Sequence, residues 1–166
     1  MKVQLSDYQH EWPDLFEIEK SVLRDWIGPW VHGPIEHVGS TAVPGLKAKP
    51  IIDIMVGVKD LNSSVGAIDV LQRNGYCYSP YKSEVMHWFC KPTPEYRTHH
   101  LHLVPYDSPL WRERIKFRDI LRSNGKVAEQ YVQLKVSLSR DLTDDRERYT
   151  ELKWPFIEGV LREFDC

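Results

Sequence analysis

The chain has 166 residues, a formal net charge of -2, 42% hydrophobic residues and 28% charged residues, so we expect a single globular domain over residues 1–166. This balance of charge carries no strong nucleic-acid signal. The N-terminus is too polar for a signal peptide, and no apolar run approaches the ~20 residues that span a membrane. The three cysteines form no CxxC pair, and we therefore expect a cytoplasmic protein without membrane contact.

The first predicted element is a helix over residues 13–27. Pro13 suits the first helical turn, apolar side chains follow at helical spacing, and Gly28-Pro29 ends the run. Glu19 is the one polar residue on the face that we expect to pack against the core.

Residues 35–58 predict a strand, a polar turn and a second strand. Gly39-Ser40-Thr41 interrupts the first apolar run, and Pro50 prevents a helix just before the second. Residues 51–58 are apolar at almost every position, as in a strand buried on both faces, with Asp53 as the exception. A carboxylate in that place needs a partner, a metal or water.

The turn and this acid together suggest phosphate and metal chemistry. Gly39, Ser40 and Thr41 offer backbone N–H and hydroxyl donors to a phosphate. Asp53 can bind the Mg²⁺ or Mn²⁺ that accompanies a phosphate, and Lys49 adds a positive charge nearby. Glu36 is either a metal ligand or the partner of a basic residue such as Arg97 or Lys49. The alternative is a loop with one structurally satisfied Asp.

Further along, the pattern predicts a helix over residues 61–74, strands over residues 76–79 and 86–90, and a strand in THHLHLVP. On that last strand His100 and His102 share one face, while His99 lies outside the pocket. Two imidazoles at this spacing can bind a metal or orient a phosphate, or they only hydrogen-bond in the wall of the site.

The last third of the chain is predicted to be helical. Ser108-Pro109 starts a helix, Gly125 breaks it, a second helix covers residues 128–138, and a third covers residues 144–164 until Pro155 bends or ends it. Arg118 lies between core positions and either reaches a triphosphate or pairs with an acid such as Asp119 or Glu129. Lys135 lies close to the apolar stripe of the second helix.

Two resemblances follow from these motifs. The order hydrophobic, Gly, Ser, spacer, acid-hydrophobic-acid resembles the signature of the nucleotidyltransferase superfamily, with the polymerase-beta-like fold. Gly39, Ser40 and Asp53 match it, and Met55 stands at the second acid. The stretch EHVGSTAVPGLKAKPIIDIMV resembles the GrpB family, and so do YQHEWPDLFEIEK, THHLHLVP, LWRERIKFRDILR, EQYVQLK and RERYTELKWPFI.

The resemblance implies an α+β fold with a nucleotidyltransferase-like mixed β-sheet flanked by helices and a C-terminal helical layer. It implies binding of a nucleoside triphosphate with Mg²⁺ or Mn²⁺ and transfer of a nucleotidyl group to an unknown acceptor. The residues that we expect to act are Asp53 and His102 in catalysis, Gly39, Ser40, Thr41, Lys49 and Arg118 on phosphate, and Asp53, Glu36, His100 and His102 on metal.

Three other interpretations stay open. Because Met55 replaces one of two metal acids, the pocket is alternatively a catalytically weak or inactive module that binds a nucleotide or another phosphate ligand. The chain is alternatively a structural or partner-binding protein. The run of histidines also resembles the histidine-triad proteins, although Val104 stands at the third histidine.

Overall fold

The computed structural model describes residues 5–141 and 146–164. The helices are α1 (Trp12–Ile27), α2 (Val65–Arg73), α3 (Pro109–Ser123), α4 (Gly125–Asp141) and α5 (Arg146–Glu163). The strands are β1 (Val31–Val38), β2 (Ile52–Val58), β3 (Cys77–Ser79), β4 (His87–Pro92) and β5 (Arg97–Pro105). The predicted α+β class is thereby confirmed.

The five strands form one mixed sheet in the order β1-β2-β5-β4-β3. Only the neighbours β2 and β5 run parallel among these strands, and their register sets Asp53 beside His100 and Met55 beside His102. Because side chains alternate along a strand, these four side chains point to the same face of the sheet.

Helices α1 and α2 cover the opposite face. The apolar stripe of α1, which includes Leu23 and Ile27, is fully buried there against the alternate residues of the central strands. Those strand residues include Ile54 on β2 and Leu101 on β5. This cluster is the main core, and the predicted packing role of α1 is confirmed by it.

Helices α3, α4 and α5 form the C-terminal helical layer that the sequence predicts. Their apolar sides meet in a separate cluster that includes Leu121, Tyr131 and Val160, together with Leu46 from the loop before β2. Helix α3 starts as expected, since the Ser108 hydroxyl accepts a hydrogen bond from the Trp111 N–H.

Several predicted boundaries are wrong. Strand β1 begins at Val31, and Gly125 opens α4, because the Asn124 side chain accepts a hydrogen bond from the Val127 N–H and caps that helix. Pro155, where the sequence predicts a bend or an end, lies inside α5, so of these two the end is excluded. The turn before it is largely exposed, so water can bind the carbonyl that Pro leaves without a donor. The predicted start at residue 144 lies outside the described residues.

None of the described helices combines the length and the apolar character needed to cross a membrane.

Candidate functional site

The turn after β1 lies directly against Asp53. Gly39 has a φ of +75°, a conformation that side chains rarely allow, and a Cβ at this position would lie 2.5 Å from Asp53 Oδ2. Val38 pairs with Asp53 across the two strands, so the end of β1 and the start of β2 bring the turn and the carboxylate together. The predicted juxtaposition of Gly39, Ser40 and Asp53 is therefore present.

Asp53 accepts hydrogen bonds from two of the three histidines of β5, His100 and His102. Its Oδ1 lies 3.1 Å from His100 Nδ1 and 3.4 Å from His102 Nε2. Arg114 Nη1 lies 3.4 Å from His102 Nδ1, and because a guanidinium only donates, that nitrogen must accept. His102 therefore carries its proton on Nε2 and donates it to the carboxylate.

The electrostatics agree with this arrangement. Burial and the nearby Arg114 lower the pKa of His102 to about 4, against the opposing charge of Asp53, so the ring is neutral at pH 7. Burial alone raises the pKa of Asp53, but the hydrogen bonds from His100 and His102 outweigh it and hold that pKa well below its usual range. Asp53 is therefore ionised, and its side chain is 26% exposed.

Helix α4 supplies a lysine that the sequence alone does not assign to the site. Lys135 is 2% exposed, and its Nζ donates to Ser40 Oγ at 2.9 Å and to the Lys47 carbonyl at 2.6 Å. Burial, followed by repulsion from Lys153 and Lys49, lowers its pKa to about 6. The signal that could have found it is its i,i+4 relation to the core residue Tyr131, which places a lysine on the buried stripe.

Two further lysines, Lys49 and Lys153, lie near Lys135. Lys49 Nζ lies 4.7 Å and Lys153 Nζ 4.9 Å from the centroid of the Tyr149 ring. Tyr149 is fully buried, and its hydroxyl has no hydrogen-bond partner among the described residues. Lys49 and Lys153 are close enough to Lys135 for their charges to lower its pKa, so an anion beside these three lysines would be stabilised electrostatically.

Two of the predicted site residues, Arg118 and Glu36, form an ion pair with each other. Arg118 donates to Glu36 Oε2 at 2.7 Å and to the His37 carbonyl at 3.1 Å, and it also pairs with Asp119. Glu36 therefore has a partner other than the two basic residues that the sequence suggested, and the pairing that we kept as the alternative for Arg118 is present.

Thr41 is also engaged, because its buried hydroxyl donates to the Ile51 carbonyl and lies 3.0 Å from His37 Nε2. Val104, at the position of a third histidine, packs with Met55 and Trp111 in an apolar cluster. The histidine-triad interpretation is therefore wrong, since that strand position belongs to the core.

The donor set decides which metal the residues fit. Across residues 5–141 and 146–164, no group of three or more His, Cys, Asp or Glu side chains is arranged to hold a metal ion. Both histidines turn an N–H toward Asp53, and Mg²⁺ prefers oxygen ligands. Of the residues that the sequence suggests as metal ligands, Asp53 keeps a carboxylate oxygen, Oδ2, toward the Gly39 turn, and a carboxylate oxygen is the ligand type that Mg²⁺ prefers.

A second polar cluster lies on the other face of the sheet. Glu19 of α1 accepts from Lys91 Nζ at 2.6 Å and from the Tyr76 hydroxyl at 2.7 Å, and His99 lies 3.9 Å away. A cavity of about 380 Å³ beside His99 is lined partly by apolar residues such as Trp12. Because the sheet separates this cluster from Asp53, His99 lies outside the candidate site, as predicted.

The comparisons with known proteins agree on one family. Residues 2–163 match the family described as "GrpB: GrpB protein". The "Glutamate-rich protein GrpB" of Alkalihalophilus pseudofirmus is 37% identical over 98% of this chain and 95% of that protein. The "UPF0157 protein YqkA" of Bacillus subtilis is 29% identical over 95% of this chain, which spans about half (46%) of that longer relative.

A solved structure extends this similarity to three dimensions. The crystal structure of the conserved protein GrpB from Enterococcus faecalis superposes with a TM-score of 0.84 at 29% identity, over 97% of this chain and 99% of that one. Sequence and fold therefore lead to one conclusion, that the chain belongs to the GrpB family.

Proposed function

We propose that the turn at Gly39-Ser40, with Lys135 and Asp53, binds a nucleoside triphosphate together with Mg²⁺ or Mn²⁺, and that the chain transfers a nucleotidyl group from it to an acceptor. The observation that carries the proposal is the contact of the buried Lys135 with Ser40, directly beside the ionised carboxylate of Asp53.

The lysines support the phosphate half of this proposal. The charges of Lys153 and Lys49 contribute to the low pKa of Lys135. A phosphate chain placed among them would balance the charges of Lys49 and Lys153, favour the charged form of Lys135 and accept a hydrogen bond from the Tyr149 hydroxyl. Ser40 would then exchange its contact with Lys135 for a contact with phosphate.

Asp53 supports the reaction half. The carboxylate is held by His100 and His102, which fix its orientation through Oδ1. Its other oxygen, Oδ2, faces the Gly39 turn where the phosphates would lie. When bound there, Mg²⁺ supplies charge neutralisation on the transferred phosphate. In this proposal His102 positions Asp53, because both of its ring nitrogens are already engaged.

A second candidate, binding without turnover, is favoured by Met55. This residue stands where the superfamily motif has its second acid, and it is fully buried with Val38 and Trp111. No carboxylate can take that place without burying a charge in an apolar cluster. A phosphate-binding module would keep the lysines and Asp53 but would release no pyrophosphate.

Thermal unfolding against a panel of nucleoside triphosphates and diphosphates, with and without Mg²⁺ or Mn²⁺, tests the proposal. A ligand that binds only the folded chain stabilises it by about 2.7 kcal/mol at a hundredfold excess over its Kd. We expect a metal-dependent rise of the midpoint in the wild type and none in Asp53→Asn. Asp69→Asn, an exposed acid paired with Arg73 on α2, is the matched control.

The outcomes separate the candidates. A metal-dependent shift followed by pyrophosphate release supports nucleotidyl transfer. A shift without pyrophosphate release supports the binding module. No shift with any ligand contradicts both and leaves a structural or partner-binding protein in which Asp53 and the lysines only stabilise the fold.

A further inference from the structure

An aromatic and basic surface lies on the same side of the sheet as Asp53, beyond the two histidines. We call the group of Trp88, Tyr81 and Arg97 the aromatic shelf. Arg97 lies over the Trp88 ring at 5.2 Å from its centroid, and the Tyr81 ring meets Trp88 edge to face at 6.1 Å. Tyr81 is 44% exposed, so the shelf is accessible from solvent.

The register of the strands places the shelf relative to the candidate site. Trp88 on β4 pairs with His102 on β5, which in turn stands beside Met55 on β2, and the Trp88 and His100 rings are 5.3 Å apart. Two strand spacings, about 10 Å, therefore separate β2, which carries Asp53, from the strand of the shelf. The shelf lies on the far side of the histidines from the Gly39-Ser40 turn, because β1 and β4 flank the β2–β5 pair on opposite sides.

The site thus has an anion-binding end and an aromatic end. Lys135 and the lysines near it suit phosphates, and Asp53 lies in the middle. The exposed Tyr81 ring and the half-buried Trp88 ring, together with Arg97, suit a planar heteroaromatic group. A nucleotide has the same order of parts, since its ribose separates the phosphates from the base. His100 Nε2, which is buried and has no hydrogen-bond partner among the described residues, lies between the carboxylate and the shelf as a polar atom left for a ligand.

We propose that the aromatic shelf binds the base of the nucleotide whose phosphates occupy the Gly39-Ser40 turn. This inference rests on the proposed function and specifies it, because it makes the ligand a nucleoside phosphate and excludes a bare polyphosphate. Stacking is tolerant of base identity, since every base presents a π-face, so the shelf predicts a site with weak preference among bases.

The test compares two probes, the Mg²⁺ complex of ATP and the Mg²⁺ complex of inorganic tripolyphosphate, by calorimetric titration. We expect wild type to bind ATP at least about tenfold more tightly than tripolyphosphate. Tyr81→Ala, Arg97→Met and Trp88→Leu should each weaken ATP binding and leave tripolyphosphate binding unchanged. Trp154→Leu, which removes a Trp that is 45% exposed on α5, is the matched control and should change neither.

Trp88 also supplies a direct signal. Stacking of a base on its ring should quench fluorescence in wild type and in Trp154→Leu, and the quenching should be lost in Trp88→Leu. Tyr81→Ala guards against misfolding of the Trp88 variant, because Tyr81 is exposed and its removal leaves the apolar cluster intact.

Each result has one meaning. Loss of ATP binding alone in the shelf variants supports the inference. Equal binding of the two probes by wild type, or shelf variants that bind ATP normally, overturns the shelf while the phosphate site stands. If wild type binds neither probe, the proposed function fails and the inference fails with it.

Discussion

Lys135 Nζ donates a 2.9 Å hydrogen bond to Ser40 Oγ, and this contact joins α4 to the turn after β1 across 95 positions of sequence. The lysine is almost fully buried, and Asp53 is the anion that favours its charged form. A buried lysine among other lysines is costly to keep, so we expect it to serve binding more than stability.

Replacing Lys135 with methionine tests that expectation. Lys135→Met keeps most of the apolar side chain but removes the amine that becomes charged when an anion binds, so we expect tripolyphosphate binding to weaken at least about tenfold. We expect the free energy of unfolding at pH 7 to rise by about 1–3 kcal/mol, because no amine must be buried. Calorimetric titration and urea unfolding measure the two effects. Lys126→Met, on the exposed side of α4, should change neither.

The opposite pair of results would contradict this interpretation. A Lys135→Met variant that unfolds more easily and still binds tripolyphosphate as wild type does would make Lys135 a structural donor to Ser40 and the Lys47 carbonyl.

Phosphate binding should depend on pH through the same residue. Burial and the neighbouring Lys153 and Lys49 lower the pKa of Lys135 to about 6, and a bound anion raises it again. Below pH 6 the lysine is charged in both states. Above pH 6 binding requires proton uptake, so affinity should fall as pH rises, by up to about tenfold per unit, until the pKa of the complex is reached.

Calorimetry at pH 7.5 in two buffers of different ionisation enthalpy counts the protons taken up. We expect wild type to take up about one more proton than Lys135→Met. Tripolyphosphate itself also gains or loses protons on binding, and the Lys135→Met variant measures that contribution. Equal uptake in the two proteins would show that Lys135 does not change its charge on binding.

Alanine substitutions at Gly39 and Gly45 distinguish the cost of backbone strain from the cost of crowding the Asp53 carboxylate. Gly39 and Gly45 both have positive φ, at +75° and +82°, but a Cβ at Gly39 would lie 2.5 Å from Asp53 Oδ2 while a Cβ at Gly45 would meet nothing within 4 Å. We expect Gly45→Ala to cost about 1 kcal/mol of unfolding free energy from strain alone. Gly39→Ala should cost about 1–3 kcal/mol more, because it displaces Asp53 from its hydrogen bonds.

Urea unfolding and tripolyphosphate titration of both variants check this prediction. Gly39→Ala should also abolish binding, whereas Gly45→Ala should bind as wild type does. Similar losses of stability in the two variants would mean that the turn relaxes away from Asp53 without difficulty.

The cluster on the far face of the sheet should affect stability alone. Burial raises the pKa of Glu19, but hydrogen bonds from Lys91 and Tyr76 outweigh it and leave the pKa below the usual 4.5. A lowered carboxyl pKa means that the stabilisation is present above the unfolded value and is lost as pH falls through the folded one. Glu19→Gln should therefore cost about 3–5 kcal/mol at pH 7 and less below pH 4.5.

Unfolding of Glu19→Gln between pH 3 and pH 7 measures this difference, with Glu17→Gln, exposed on the same helix, as the control. Binding of ATP and tripolyphosphate should be unchanged. A loss of binding in Glu19→Gln would show that the two faces of the sheet are coupled.

Much of the local structure follows from the sequence. The apolar run broken by Asp53 predicts β2, the alternation around His100 and His102 predicts a strand with both rings on one face, and Ser108-Pro109 predicts the start of α3. Each of these patterns involves residues only a few positions apart in sequence, so each can be recognised within one helix or strand. The match of Gly39, Ser40 and Asp53 to a phosphate motif is local in the same sense.

Which side chains meet was decided only by the tertiary structure. The helical period shows that Lys135 and Arg118 lie near buried stripes, but it does not show that one would contact Ser40 and the other Glu36. Those partners depend on how α3 and α4 dock on the sheet, through contacts separated by more than eighty positions. The sequence by itself determined the elements and the acid at the centre of the site, while long-range packing decided which cations surround it, because docking angle and register are properties of the whole fold.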